Sequence, residues 1–305
     1  MPRPPDFAIV GAPRCGTTAL YSYLATHPGI TMSSCKEARF FSSDIAAASR
    51  AKSWSEYEAL WSHAKAGTLR GEATPDYIQS RIAIAALLDS RPDAKLIAMV
   101  RNPVEIVGAH HAQLHTDGHE QAADLESAWR SSELYLNGKA LPRGGDSSTF
   151  TIHYRAYAAI GDQLERFLAL APPDQRIVIL YDDFKADTRR EYLRVLALLE
   201  LGDDGRTEFP VENARRELRW AQLPRFQKWL GRRLPSLYRG AKEAANAIGL
   251  APGTMIHRAN VRTSTRQTLR PEFERELIAA FLPQIEKVER LLGTDLSAWK
   301  RPRSG

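Results

Sequence analysis

The segment with the clearest chemistry is Phe7-Ala-Ile-Val-Gly-Ala-Pro-Arg-Cys-Gly-Thr-Thr18, where an apolar run enters a loop bracketed by Gly11 and Gly16 and then a helix-forming stretch. That succession makes an anion cradle: the glycines let backbone N–H groups approach, and a helix N-terminus at Thr17 favours negative charge. The Gly-x4-Gly spacing is that of a P-loop, but a loop for ATP or GTP carries lysine directly after its second glycine, and here that residue is Thr17. A cation stands instead at Arg14, inside the loop. The pattern suits a nucleotide with a single 5′ phosphate carrying another transferable group better than a triphosphate.

Three further places carry reactive side chains. Arg101 follows the apolar run Lys95–Val100 and precedes Pro103, which puts its guanidinium at the carboxyl edge of a sheet, where a phosphate can be gripped bidentately. The competing reading is an i,i+4 pair with Glu105 on the helix that follows. Glu37 lies between Lys36 and Arg39 and ahead of Phe40 and Phe41. A carboxylate so placed can be half buried yet kept ionised, as a general base requires, or it can be a plain surface ion pair. His110 is the rival base, since imidazole titrates near neutrality. His111, His115 and His119 recur every four residues, a spacing that would align them on one helix face for a metal, but Asp117-Gly118 is a turn signal that ends the helix first. No metal site is expected. Cys15, at a helix N-terminus, is in a setting that lowers a thiol pKa, but the neighbouring glycine and threonines favour a small residue that merely fits the cradle.

The elements that must hold these groups alternate short aliphatic runs with helical patterns, the mark of an α/β protein with a mainly parallel sheet. Strands are expected at Phe7–Gly11, Thr68–Glu72, Lys95–Val100 and Arg176–Tyr181, and helices at Thr17–Thr26, Trp54–His63, Ile78–Asp89, Pro103–Leu114, His153–Ala169 and Arg189–Leu201. After Val211 the strand pattern fades and helices are expected at Leu223–Leu234 and Pro271–Leu292. Residues 1–305 therefore read as one domain, an α/β core over 1–210 with a helical extension over 211–305. Asn137–Thr149 and Gly249–Arg270 read as loops, and the long Thr116–Phe150 segment as the region that shapes substrate choice.

Composition bounds the function. The 305 residues are 43% hydrophobic and 26% charged, with a net charge of +6, a soluble globular balance. No apolar run approaches the roughly 18 residues of a membrane helix. Two cysteines, Cys15 and Cys35, exclude a disulfide framework, so a cytoplasmic setting is the default. The basic surplus is C-terminal: residues 211–305 hold 19 Lys and Arg against 9 Asp and Glu. Such a field attracts anionic ligands, nucleic acid or lipid headgroups, and a solvated helix face gives the same count. Pro224–Leu234, basic and amphipathic, is either a packed helix or a peripheral membrane contact.

Taken together, the motifs resemble the sulfotransferases that use 3′-phosphoadenosine 5′-phosphosulfate (PAPS), and within them the bacterial and heparan-sulfate-type branch. Gly11–Thr18 is similar to the 5′-phosphosulfate loop, with Arg14 where many members have lysine. Val100-Arg-Asn-Pro-Val-Glu105 is similar to the 3′-phosphate segment, and Lys36-Glu-Ala-Arg-Phe-Phe41 and Gly71-Glu-Ala-Thr-Pro-Asp-Tyr77 to acceptor-site segments. Leu180-Tyr-Asp-Asp-Phe184 and Gly293-Thr-Asp-Leu-Ser-Ala-Trp299 are similar to further landmarks. The resemblance implies a P-loop-like three-layer α/β/α fold and sulfuryl transfer to a hydroxyl of a sugar, glycolipid or secondary metabolite. It implies that Arg14, Cys15, Gly16, Thr17 and Thr18 hold the 5′ end of PAPS, that Arg101 holds the 3′ phosphate, and that Glu37 is the base. Two departures matter. Ala109 stands where the family has a 3′-phosphate serine, leaving His110 or Arg262 as replacements, and Ala73 stands where heparan-type members have lysine, leaving Lys36 or Arg39 to supply that charge. Nucleic acid is not an expected partner, and the oligomeric state is open. The alternatives are a P-loop nucleotide kinase or ATPase, disfavoured by Thr17, and a non-catalytic polyanion-binding protein relying on the basic C-terminal part.

Overall fold

A computed structural model describes residues 3–45, 51–136, 153–210, 216–218, 261–263 and 269–302 of the chain. Its sheet is built from β1 (Phe7–Gly11), β2 (Ile30–Met32), β3 (Leu69–Ala73), β4 (Lys95–Val100) and β5 (Arg176–Leu180), all parallel, in the order β2-β3-β1-β4-β5. Phe7, Ala8, Ile9 and Val10 are fully buried, as are Leu96 to Val100. Continuous apolar runs of this kind belong to central strands covered on both faces. The first crossover, through α1 (Thr17–Leu24), leads to one edge of the sheet; α2 (Trp54–Ala59) and α3 (Ala83–Ser90) lie between β2 and β4 in the chain, and the crossover after β4 leads to the other edge. Right-handed connections running in opposite directions lay helices on both faces and open a crevice at the carboxyl ends of β1 and β4.

Two helices follow β4: α4 (Pro103–Thr116) and α5 (Leu125–Leu136). Proline starts α4, where its missing N–H costs nothing, and the helix ends at Thr116, before Gly118 with φ 71°. The Asp117-Gly118 turn thus removes His119 from the histidine row. The stretch Thr116–Phe150, expected above to shape substrate choice, contains α5. Asp124 accepts from the Ser127 N–H at 2.9 Å and from its hydroxyl at 2.8 Å, a cap that starts a helix from a mostly polar sequence.

The expected helix over His153–Ala169 is two: α6 (Tyr154–Tyr157) and α7 (Ile160–Leu170). The chain breaks because the side-chain amides of Gln79 and Gln163 both donate to the Tyr157 carbonyl, each at 3.1 Å. Next come α8 (Tyr181–Ala186) and α9 (Thr188–Leu198). The last helix, α10 (Pro271–Leu292), packs on α7 and stops at Gly293 with φ 61°.

The expectation that strands are absent beyond Val211 is corrected by β6 (Arg216–Leu218), which pairs antiparallel with β7 (Val261–Thr263). Leu223–Leu234 and Asn137–Thr149 lie outside the described residues. Contacts along the chain group it into two units, 1–107 with 148–212 and 270–305, and 108–147 with 213–269. The sheet belongs to the first. Among the described residues, no helix is long and apolar enough to cross a membrane.

Candidate active site

The loop between β1 and α1 turns through Arg14 with φ 66° and Gly16 with φ 88°. Gly16 is required twice over, since its backbone is left-handed and a Cβ there would lie 3.1 Å from the Tyr181 ring. Gly16 caps α1 without a side-chain acceptor, so among the described residues no capping side chain takes the first-turn N–H groups, which include those of Thr17 and Thr18. The Arg14 guanidinium donates to the hydroxyl of Tyr157, a buried side chain whose pKa burial raises.

Arg101 sits across the crevice at the end of β4. Its NH1 donates to the Arg14 carbonyl at 2.9 Å, and its Nε to Glu105 Oε2 at 2.6 Å. The guanidinium also lies over the Tyr181 ring, 4.2 Å from the centroid. The i,i+4 pair considered for Arg101 is therefore present, and it leaves the residue at the sheet's carboxyl edge, where the ligand reading places it.

On the opposite flank of the loop, Glu37 is held by two cations. Lys36 Nζ meets one carboxylate oxygen at 2.7 Å and Arg39 NH2 the other at 2.8 Å. Burial pushes the Glu37 carboxyl up, but the charges of Lys36, Arg39 and Arg14 outweigh it and hold it below the usual 4.5. Arg39 is in turn fixed by Asp76, Nε to Oδ2 at 2.6 Å.

The backbone that presents Glu37 is itself anchored. Glu37 (φ 65°) and Arg39 (φ 54°) are left-handed, conformations that cost on the order of 1–3 kcal/mol apiece and persist only when surroundings impose them. The N–H groups of Glu37, Arg39 and Phe41 donate to the Ala73 carbonyl (2.8 Å), Thr74 Oγ1 (3.3 Å) and the Tyr77 hydroxyl (3.3 Å). Thr74 and Tyr77 then donate to Glu72, each at 2.7 Å, and Tyr57 is a third donor to the same carboxylate. Glu72 is fully buried, and burial raises its pKa against the pull of those three hydroxyls.

Arg14, Cys15, Gly16, Thr17, Thr18, Lys36, Glu37 and Arg101 all belong to the unit that holds the sheet. His110, on α4, and Arg262, on β7 opposite Glu217, belong to the other. His111 and His115 stack loosely, centroids 6.2 Å apart, while His111 Nε2 hydrogen-bonds the Ala122 carbonyl at 3.1 Å. Among the described residues, no group of three or more His, Cys, Asp or Glu is placed to hold a metal. The Cys15 thiol is fully buried and pushed up to about 12, burial outweighing the nearby Arg101 charge, which argues against an activated cysteine and agrees with a small side chain that fits the cradle. Tyr157, Asp76 and Tyr181 were not among the sequence candidates. Only for Tyr181 and Asp76 did a signal exist, since both lie inside family-like motifs.

A sulfotransferase domain matches residues 4–217. The chain is 38% identical over 103 residues to the membrane-associated sulfotransferase kil1 of Dictyostelium discoideum, a match covering 33% of this chain and 21% of that protein. It is 34% identical over 109 residues to heparan sulfate glucosamine 3-O-sulfotransferase 6 of Homo sapiens, covering 36% and 30%. The match thus spans less than a third of these curated relatives. In fold, it is similar to the crystal structure of a sulfotransferase from Alicyclobacillus acidocaldarius, with TM-score 0.69, 24% identity and coverage of 98% of this chain and all of that one. With its parallel sheet, its P-loop-like crevice and a domain match spanning most of its length, the chain belongs to the sulfotransferase domain family.

Proposed function

We propose that the protein transfers a sulfuryl group from PAPS to a hydroxyl of a carbohydrate, glycolipid or secondary-metabolite acceptor. The observation that carries this reading is the pairing of an uncapped helix N-terminus, preceded by Arg14, with an ionised Glu37 whose field includes the Arg14 charge. Thr17 and Thr18 N–H groups and Arg14 suit the 5′ end of the donor, and Arg101 the 3′ phosphate. When bound, PAPS supplies an electrophilic sulfur whose bond to the 5′-phosphate oxygen breaks as the acceptor oxygen bonds to it.

The chain's own residues supply the rest. Glu37 takes the acceptor's hydroxyl proton, and opening one of its two ion pairs raises its basicity for that step. Arg39 is tethered to Asp76 and stays. Lys36, paired only with Glu37 among the described residues, swings away and delivers the charge that Ala73 cannot. Arg14 stabilises negative charge gathering on the leaving phosphate. The test is a transfer assay with sulfur-labelled PAPS against a panel of sugar, glycolipid and phenolic or polyketide hydroxyls. Label on at least one acceptor, lost in Glu37→Gln and kept in His110→Ala, is the expected result; transfer that survives Glu37→Gln and fails in His110→Ala moves the base to His110.

A further inference from the structure

We propose that Arg101 is a positioning residue for the Gly11–Thr18 loop, fixing its left-handed turn and so coupling the two ends of the donor site. This deepens the donor reading above, although its first test needs no ligand.

The loops leaving β1 and β4 meet at the crevice where the crossovers diverge. Arg101 NH1 spans that crevice to the Arg14 carbonyl at 2.9 Å, a bond between residues 87 apart in sequence. Arg14 is left-handed, so the acceptor of this bond is the carbonyl of a residue at which the loop makes its turn. The guanidinium is restrained on two further sides: Glu105, 6% exposed, takes Nε at 2.6 Å, and Tyr181 covers the flat face at 4.2 Å. That same Tyr181 ring occupies the space that a side chain at Gly16 would need. One guanidinium therefore ties Arg14 directly and Gly16 through Tyr181, the two left-handed positions of the loop.

A side chain that only countered a ligand's charge would need none of these restraints, and lysine would serve as well. The planar fork is what the arrangement uses, because an ammonium cannot donate along two edges while lying flat on a ring. By linkage, an anion meeting Arg101 must then alter affinity at the loop, and the reverse.

The experiment is amide hydrogen exchange of residues 12–18 in the ligand-free protein, comparing wild type with Arg101→Lys, Arg101→Ala and Glu105→Gln. Exchange about tenfold faster is expected in both Arg101 variants, the equivalent of losing one charge-assisted bond, with a smaller rise in Glu105→Gln. The segment 69–77 should be unchanged. Calorimetry with adenosine 5′-phosphate, which lacks the 3′ phosphate, should show affinity about tenfold weaker in Arg101→Lys. The inference is overturned by wild-type loop exchange in Arg101→Lys, or by acceleration shared equally by 69–77. If loop exchange is unchanged but the 3′,5′-bisphosphate binds more weakly, Arg101 serves the ligand alone and the donor reading stands. If the loop loosens as expected but wild type binds neither nucleotide, the positioning role stands and the donor reading falls.

Discussion

Trp299 Nε1 donates to Asp182 Oδ2 at 2.6 Å, joining residues 117 apart in sequence. Asp182 follows Tyr181, the ring that lies over Arg101, so the short 3-10 turn Ser297–Lys300 is tied to the helix that carries Tyr181. The indole is buried at 3% exposure, whereas Asp182 faces solvent. Packing should therefore outweigh the hydrogen bond. Trp299→Ala is expected to lower unfolding free energy by about 3–5 kcal/mol in chemical denaturation, and Trp299→Phe by about 1 kcal/mol. Equal losses would mean that the hydrogen bond, not the ring, secures the turn.

Arg14 separates binding from folding. Its φ of 66° is one that glycine adopts freely, so Arg14→Gly removes the guanidinium without straining the backbone. Turnover should fall on the order of a hundredfold to a thousandfold, while unfolding free energy falls by only about 1–3 kcal/mol, the cost of leaving the buried Tyr157 hydroxyl without its donor. A large stability loss with normal turnover would instead make Arg14 a structural residue.

Glu37 fixes the pH behaviour. Its carboxyl is held below 4.5 in the folded protein, so the contribution of its ion pairs to stability is present above that value and is lost as pH falls through the folded pKa. The acid limb of kcat/KM should lie below pH 4.5 by the same reasoning. Lys36→Met removes one of the two paired cations, lets burial count for more, and should shift that limb to higher pH. A limb that stays put would show that Lys36 does not act on Glu37.

The two cysteines should differ in reactivity. Cys15 is fully buried with its thiol pushed up to about 12, while Cys35 is half-buried. Iodoacetamide at pH 8 followed by peptide mass spectrometry should label Cys35 well before Cys15 in the native protein. Faster labelling of Cys15 would restore the nucleophilic role that burial now argues against.

The anion loop and its strand were readable because Phe7–Val10 is an unbroken apolar run that meets two glycines, and Pro103 marks where α4 begins. What escaped the sequence depends on distant partners. The helix expected from Ile78 starts at Ala83, because Asp44 takes the Ser80 hydroxyl at 2.6 Å and Ser80 in turn accepts from Ile82 and Ala83 N–H groups. Strand β2, only Ile30–Met32, is too short to show a period. Glu37 could be proposed from its neighbours, but its support by Ala73, Thr74 and Tyr77, and the place of Tyr181 over Arg101, require β3 and β5 to flank the central strands. No spacing in a single chain encodes that adjacency.

The most direct measurement is calorimetry of the purified protein with 3′-phosphoadenosine 5′-phosphate and, separately, with ATP and Mg²⁺. The bisphosphate should bind wild type, bind far more weakly to the Arg14→Gly and Arg101→Ala double variant, and not be displaced by ATP at equal concentration. Tight binding of ATP with Mg²⁺ and none of the bisphosphate would contradict the account at its root.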